Sequence, residues 1–294
     1  FARLPSLFWF AHSDALLLAL AWCGAVLALL VLLGATNAMV MAALWALYMS
    51  FVHVGQDWYG YGWEIQLLET GFLAIFLCPL GSIRPFPRRR PAPLVIVLHR
   101  WLIFRVMIGA GLIKIRGDSC WRDLTCLQFH YETQPNPNPF SRFLHFAPHA
   151  VATAGALLNH ITELIMPWLL LLGRNATRVA GVFFVGFQLT LIASGNLSFL
   201  NWLTIVPALA CFDDAFLARL MPRAFARWAD SAEAEAARSC ASGPPRGRRV
   251  RALTLALLFA LLAWLSVPVV LNLLSGHQVM NTSFGTLDLV NTYG

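Results

Sequence analysis

Residues 94–115, LVIVLHRWLIFRVMIGAGLIKI, run directly into RGDSCWRDLTCLQFHYETQPNPNP at 116–139, and this junction decides the fold class. As a helix, the first segment rises about 1.5 Å per residue and covers the roughly 30 Å of a bilayer's hydrocarbon core. The second is a polar island of aromatics, charges, Cys120 and Cys126, and the alternating prolines Pro135, Pro137 and Pro139. Such an island is ordered only by specific packing and hydrogen bonds, and loops of this kind carry function more often than their scaffold does.

The pattern continues outward. The chain of 294 residues is 59% hydrophobic and only 12% charged, about half the charge of a soluble domain. Apolar runs at 14–34, 37–54, 63–80, 94–115, 150–172, 178–194, 197–212 and 251–274 predict an all-α, polytopic helical membrane bundle of about eight spans. The whole of 1–294 reads as one membrane domain. Residues 116–149 form an ordered loop within it, and 215–250 read as a flexible cytosolic linker, of which 231–247 is small, polar and proline-punctuated. The net charge of +7 lies in short loops: Arg84 and Arg88–Arg90, Arg174 and Arg178, and Arg246, Arg248, Arg249 and Arg251. With eight spans all three clusters share one face, which the positive-inside rule makes cytosolic and which argues against nucleic acid as a partner. The 116–149 island then faces the opposite compartment. Both chain ends look cut.

Ionisable residues inside apolar runs are costly unless paired or hydrated. Glu64, Glu69, Arg100, Arg105, Lys114, His160 and Glu163 are such residues, with His160 and Glu163 one turn apart. They form either a buried catalytic site or interhelical pairs that fix packing. Cys120 and Cys126 make either a loop-stapling disulfide or two packed thiols. Cys23, Cys78 and Cys211 read as packing residues, and Cys240 as a reduced linker thiol. His130, Glu132, His145 and His149 are spaced too loosely for a metal centre, and Pro148 spoils a shared helical face, so no metal is expected. The prolines pre-stiffen an arm beside His130–Glu132. Of the sequons, Asn281 is the one expected to be open to glycosylation. No phosphate-binding loop, dinucleotide fingerprint or nucleophile elbow occurs, and no cofactor is expected.

Three segments carry a family resemblance: VGQDWYGYGWEIQLLETGFLAIFL (54–77), RWLIFRVMIGAGLIKIRGDSCWRDLTCLQFHYETQPNPNP (100–139) and SGNLSFLNWLTIVPALACFDD (194–214). With WLSVPVVLNLLSGHQVMNTSFGTLDLVNTYG (264–294), they resemble the lipase maturation factors. The resemblance implies a multi-pass protein of the endoplasmic-reticulum membrane, in contact with membrane lipids, which helps dimeric lipases reach an active fold. Its implied partners are lipoprotein lipase, hepatic lipase and endothelial lipase. It also implies that the island is lumenal and client-binding, that further lumenal sequence follows, and that there is no established catalysis. The described family topology has five spans. Eight are expected here because 63–80 and 178–212 are too apolar to leave in water. Trp121, Arg122, Phe129, His130, Tyr131, Glu132 and Gln134 are the expected contact or ordering residues, since aromatics and arginine commonly dominate interfaces. Two rival readings stay open: an integral membrane enzyme built on the buried Glu, Lys and His residues, and a redox helper acting through Cys120 and Cys126.

Overall fold

A computed structural model describes residues 4–82, 91–241 and 248–294. It is almost wholly helical. The strand among the described residues amounts to Thr282–Ser283 and Asn291–Thr292. The helices used below are α1 (Asp14–Leu32), α2 (Ala38–Val54), α3 (Gly62–Ile75), α4 (Pro93–Gly117), α5 (Ser119–Arg122), α6 (Cys126–His130) and α7 (Ser141–His145). They continue with α8 (His149–His160), α9 (Arg174–Ser194), α10 (Leu200–Ala208), α11 (Asp214–Leu220), α12 (Arg223–Ala241) and α13 (Arg248–Leu274).

Among the described residues, five helical segments are long and apolar enough to cross a membrane: α1, α4, His149–Leu171, α9 and Arg249–Leu274. The expected count of eight is therefore not reproduced by helix length alone. Ala38–Val54 and Leu200–Cys211 are apolar but shorter. The 63–80 run yields only the 14 residues of α3, about 21 Å of helix against a hydrocarbon core of about 30 Å. Pro79 and Gly81 then punctuate the chain. The linker reading of 215–250 also changes, because α11 and α12 occupy most of it. Small residues suggest a linker, yet alanine is the strongest helix former, and α12 is alanine-rich. The rest of that stretch, 242–247, lies outside the described residues, as do Arg84 and Arg88–Arg90.

The described residues fall into two compact units. In the first, the Ser13 and Asn37 side chains cap α1 and α2 by accepting from Leu16 N and Val40 N, satisfying amides the helices leave unpaired. No residue of α1 is buried, as expected of a helix apolar on every side in lipid. Trp45 Nε1 donates to the Leu68 carbonyl at 3.0 Å, tying α2 to α3. Tyr48 and Trp63 both donate to the Glu64 carboxylate.

The second unit comprises His99–Asp213, Pro268–Thr282 and Thr292–Gly294. Its core is set by Leu102, Ile103, Met107, Ala156, Phe184 and Ala208. Two glycines on α4 allow close approach. A Cβ on Gly109 would lie 2.3 Å from the Tyr293 carbonyl oxygen, and one on Gly111 would lie 2.6 Å from Leu164 Cδ2. Opposite Gly111, α8 passes into a π-helical turn, Ile161–Ile165, before a 3-10 stretch to Leu171. Single π turns of this kind recur at functional positions.

Candidate functional site

The site grows from the last turn of α4. Lys114 Nζ lies 2.5 Å from Glu163 Oε1 and 3.1 Å from Asn159 Oδ1, and Asn159 donates back to Glu163 Oε2 at 2.9 Å. The three polar groups close on one another, as a buried charge requires. Lys114 Nζ also stands 5.3 Å from the centre of the Trp121 ring, a cation–π distance. His160 Nε2 donates to the Trp121 carbonyl at 2.8 Å. Lys114 and His160 thus both hold one residue of the island, and Glu163 reaches it only through Lys114. The spacing of the sequence joined His160 to Glu163, while the structure joins Glu163 to Lys114 and gives His160 to Trp121.

From Trp121 the island folds locally. The Asp118 side chain accepts from Cys120 N and starts α5. Leu124 takes a left-handed φ of 57°, which turns α6 back on α5. Cys120 and Cys126 are joined as a disulfide with their Cα atoms 4.7 Å apart, within the usual range. The proline arm follows and is clipped to the C-terminal end of α9. Asn138 Nδ2 donates to the Ile192 carbonyl, and the Ser141 hydroxyl donates to the Ser194 carbonyl at 2.8 Å. Gln134 Nε2 lies 3.0 Å from His130 Nε2. Between arm and helix end is a cleft of about 160 Å³, lined by His130, Gln134, Pro135, Ser194, Gly195 and Leu197 among others. Burial, then the nearby Lys114 charge, lowers the His130 pKa; burial raises that of Tyr131.

The expected contact residues therefore divide. Trp121, His130, Tyr131 and Gln134 are partly buried within this framework, whereas Arg122, Phe129 and Glu132 are exposed. Glu132 sits 3.7 Å from His145 Nε2. The apolar surface that does face outward lies further along the chain, on Phe140, Phe143 and Phe146, which are 62%, 72% and 74% exposed. Sequence reasoning passed over this FSRFLHF segment. Its phenylalanines recur every third residue, and that period was the available signal.

The other buried ionisable residues are spread more widely. Arg100 Nε donates to the Ala210 carbonyl at 2.8 Å. Arg105 is buried, its guanidinium 5.4 Å from the Trp101 ring centre. Glu69 is buried and accepts from Asn291 N at 3.1 Å and from Asn291 Nδ2 at 3.2 Å. Glu64 is held by Tyr48 and Trp63, as above. Asn281 is exposed and has a left-handed φ of 52°. The tail residues Gln278 and Asn291 were missed. Gln278 Nε2 donates to the Gly109 carbonyl at 3.0 Å, and Arg116 donates to Gln278 Oε1 at 2.8 Å. No group of His, Cys, Asp and Glu side chains suited to a metal occurs among the described residues.

Residues 1–219 match the family model of the lipase maturation factor transmembrane domain. Lipase maturation factor 1 of Bos taurus is 54% identical over 99% of this chain and 53% of its own length. The Homo sapiens protein of that name is 51% identical over 100% of this chain and 53% of its own length. Lipase maturation factor 2 of Homo sapiens is 34% identical over 73% of this chain and 33% of its own length. The chain thus spans about half the length of the type 1 relatives it matches. No solved structure matches it. On this similarity and its almost wholly helical membrane architecture, the chain belongs to the lipase maturation factor family.

Proposed function

We propose that this chain is the membrane domain of a maturation factor of the endoplasmic reticulum, and that its island binds folding lipase on the lumenal side. Lipase is the client class that the relatives' name supplies. Lipoprotein lipase, hepatic lipase and endothelial lipase are the specific clients proposed. Arg174 and Arg178 favour the cytosol by the positive-inside rule, and one candidate span, His149–Leu171, separates them from the island. The role is non-catalytic: Lys114, Asn159 and Glu163 satisfy one another, and His160 holds Trp121 in place.

The observation that carries the reading is the exposed ridge of Phe140, Phe143 and Phe146 on a framework fastened to α4, α8 and α9. A rigid apolar surface loses little entropy on binding and shields the sticky surface of a folding chain from aggregation. The test is rescue of lipase secretion in cells lacking the endogenous factor. The full-length protein would carry Phe140→Ser, Phe143→Ser and Phe146→Ser together. Loss of active lipase at normal factor abundance is expected. Full rescue at normal abundance would overturn the assignment of this surface.

A further inference from the structure

Helix α12 has two unlike faces. At 100° per residue, Phe225, Trp228 and Ala232 share one side with Ala229, bordered by the Glu233 and Glu235 positions, while Arg223, Arg227 and Arg238 share the opposite one beside Asp230. Phe225 and Trp228 are neighbours, with ring centres 5.3 Å apart, yet they are 52% and 38% exposed. Leu220, closing α11, is 70% exposed. Contiguous outward-facing apolar side chains of this kind mark an interaction surface.

We propose that α12 lies flat on the phospholipid surface, its Phe225–Trp228 face at the boundary between headgroups and acyl chains and its arginines toward headgroup phosphates. Three observations favour lipid over a protein partner. The segment is tethered between the apolar helix Leu200–Cys211 and the candidate span Arg249–Leu274, so its chain neighbours on both sides are apolar helices. Every basic residue of α11 and α12 is arginine, whose long side chain reaches phosphate while its stem stays in the interface. The apolar face carries two aromatics and then alanines, enough for shallow insertion of about 5–10 Å but offering a protein groove few knobs. This also accounts for a stable helix in a stretch whose composition resembles a linker.

The test uses the whole chain in phosphatidylcholine–phosphatidylserine vesicles, with Cys23, Cys78, Cys211 and Cys240 each replaced by alanine. An environment-sensitive fluorophore is placed through Ala232→Cys on the apolar face or Ala234→Cys on the polar face. A nitroxide-bearing phosphatidylcholine should quench the first several-fold more than the second, and iodide should do the reverse. Adding Phe225→Glu and Trp228→Glu should erase that difference. Equal quenching at the two positions would overturn the proposal. So would an Ala232→Cys probe shielded from both quenchers, which would mean that protein covers this face.

Discussion

Lys114 shows how one residue joins membrane to island. Its ammonium sits against Glu163 at 2.5 Å and above Trp121 at 5.3 Å. The Glu163 side chain is only 4% exposed, so removing the lysine strands a carboxylate away from water. Lys114→Met is expected to destabilise the second unit by about 3–5 kcal/mol, the usual consequence of breaking a buried pair from one side. Adding Glu163→Leu should recover most of that loss, since an apolar replacement of both partners is often near neutral. Unfolding in detergent, followed by far-ultraviolet circular dichroism, would measure both; equal stability of Lys114→Met and the parent would remove the pair from the argument. The α4 glycines supply a steric counterpart. Gly109→Ala drives a methyl to 2.3 Å from the Tyr293 carbonyl, whereas nothing lies within 4 Å of the same methyl on Gly186 in α9. The first should cost about 1–3 kcal/mol by overpacking. The second should be neutral or slightly stabilising, because alanine favours helix over glycine. Melting temperatures of the two purified variants would check this ordering.

The island's short elements are held by links rather than by length, since helices of four and five residues do not persist alone. The disulfide closes a loop with a sequence separation of 6. Chain-entropy arguments put such a small loop at about 2 kcal/mol. Cys120→Ala with Cys126→Ala should therefore raise protease cleavage between α5 and the proline arm, while the membrane helices stay protected. Unchanged cleavage would make the disulfide dispensable to the fold. His130 adds a pH dependence. Its pKa is lowered by burial and by Lys114, so the unfolded island takes up a proton at higher pH than the folded one. The contribution of His130 is complete above the unfolded value of about 6.5 and is lost as pH falls through the folded pKa. Protonation also removes the Nε2 lone pair that accepts from Gln134. Hydrogen exchange of residues 126–134, corrected for intrinsic rates, should show protection falling below about pH 6.5, and His130→Gln should flatten that response. Part of this was legible in advance: long apolar windows gave α1, α4, α9 and α13. The π turn was not, because it arises where Glu163 and Leu164 pack against Gly111. Helix α12 was misread because its composition resembles a linker while its alanine content favours helix.

At the scale of the whole molecule, the sequence yields sidedness more readily than span count. Sidedness needs only the charges and the crossing between them. The count depends on whether 14- and 17-residue helices such as α3 and α2 reach across a bilayer, and that is set by tertiary packing. Five described helices rather than eight are long and apolar enough to cross, and the proposed placement of the island does not depend on the count. The chain leaves α4 at Gly117, forms the island, re-enters at His149 and runs helically to Leu171 before Gly173 and Arg174. If His149–Leu171 crosses, one span separates the two loops whatever α2, α3 and α10 do, and Phe143 and Asn175 are then expected on opposite faces. Both are exposed. In sealed microsomes, with the free cysteines replaced, a membrane-impermeant maleimide should modify an Asn175→Cys variant directly. It should modify a Phe143→Cys variant only after the membrane is permeabilised. Labelling of both without permeabilisation would mean that His149–Leu171 does not cross, and the island would lose its claim to the lumen. Labelling of Phe143→Cys alone would invert the domain, set its arginines against the positive-inside rule, and leave the phenylalanine ridge facing a compartment that secreted lipases never enter.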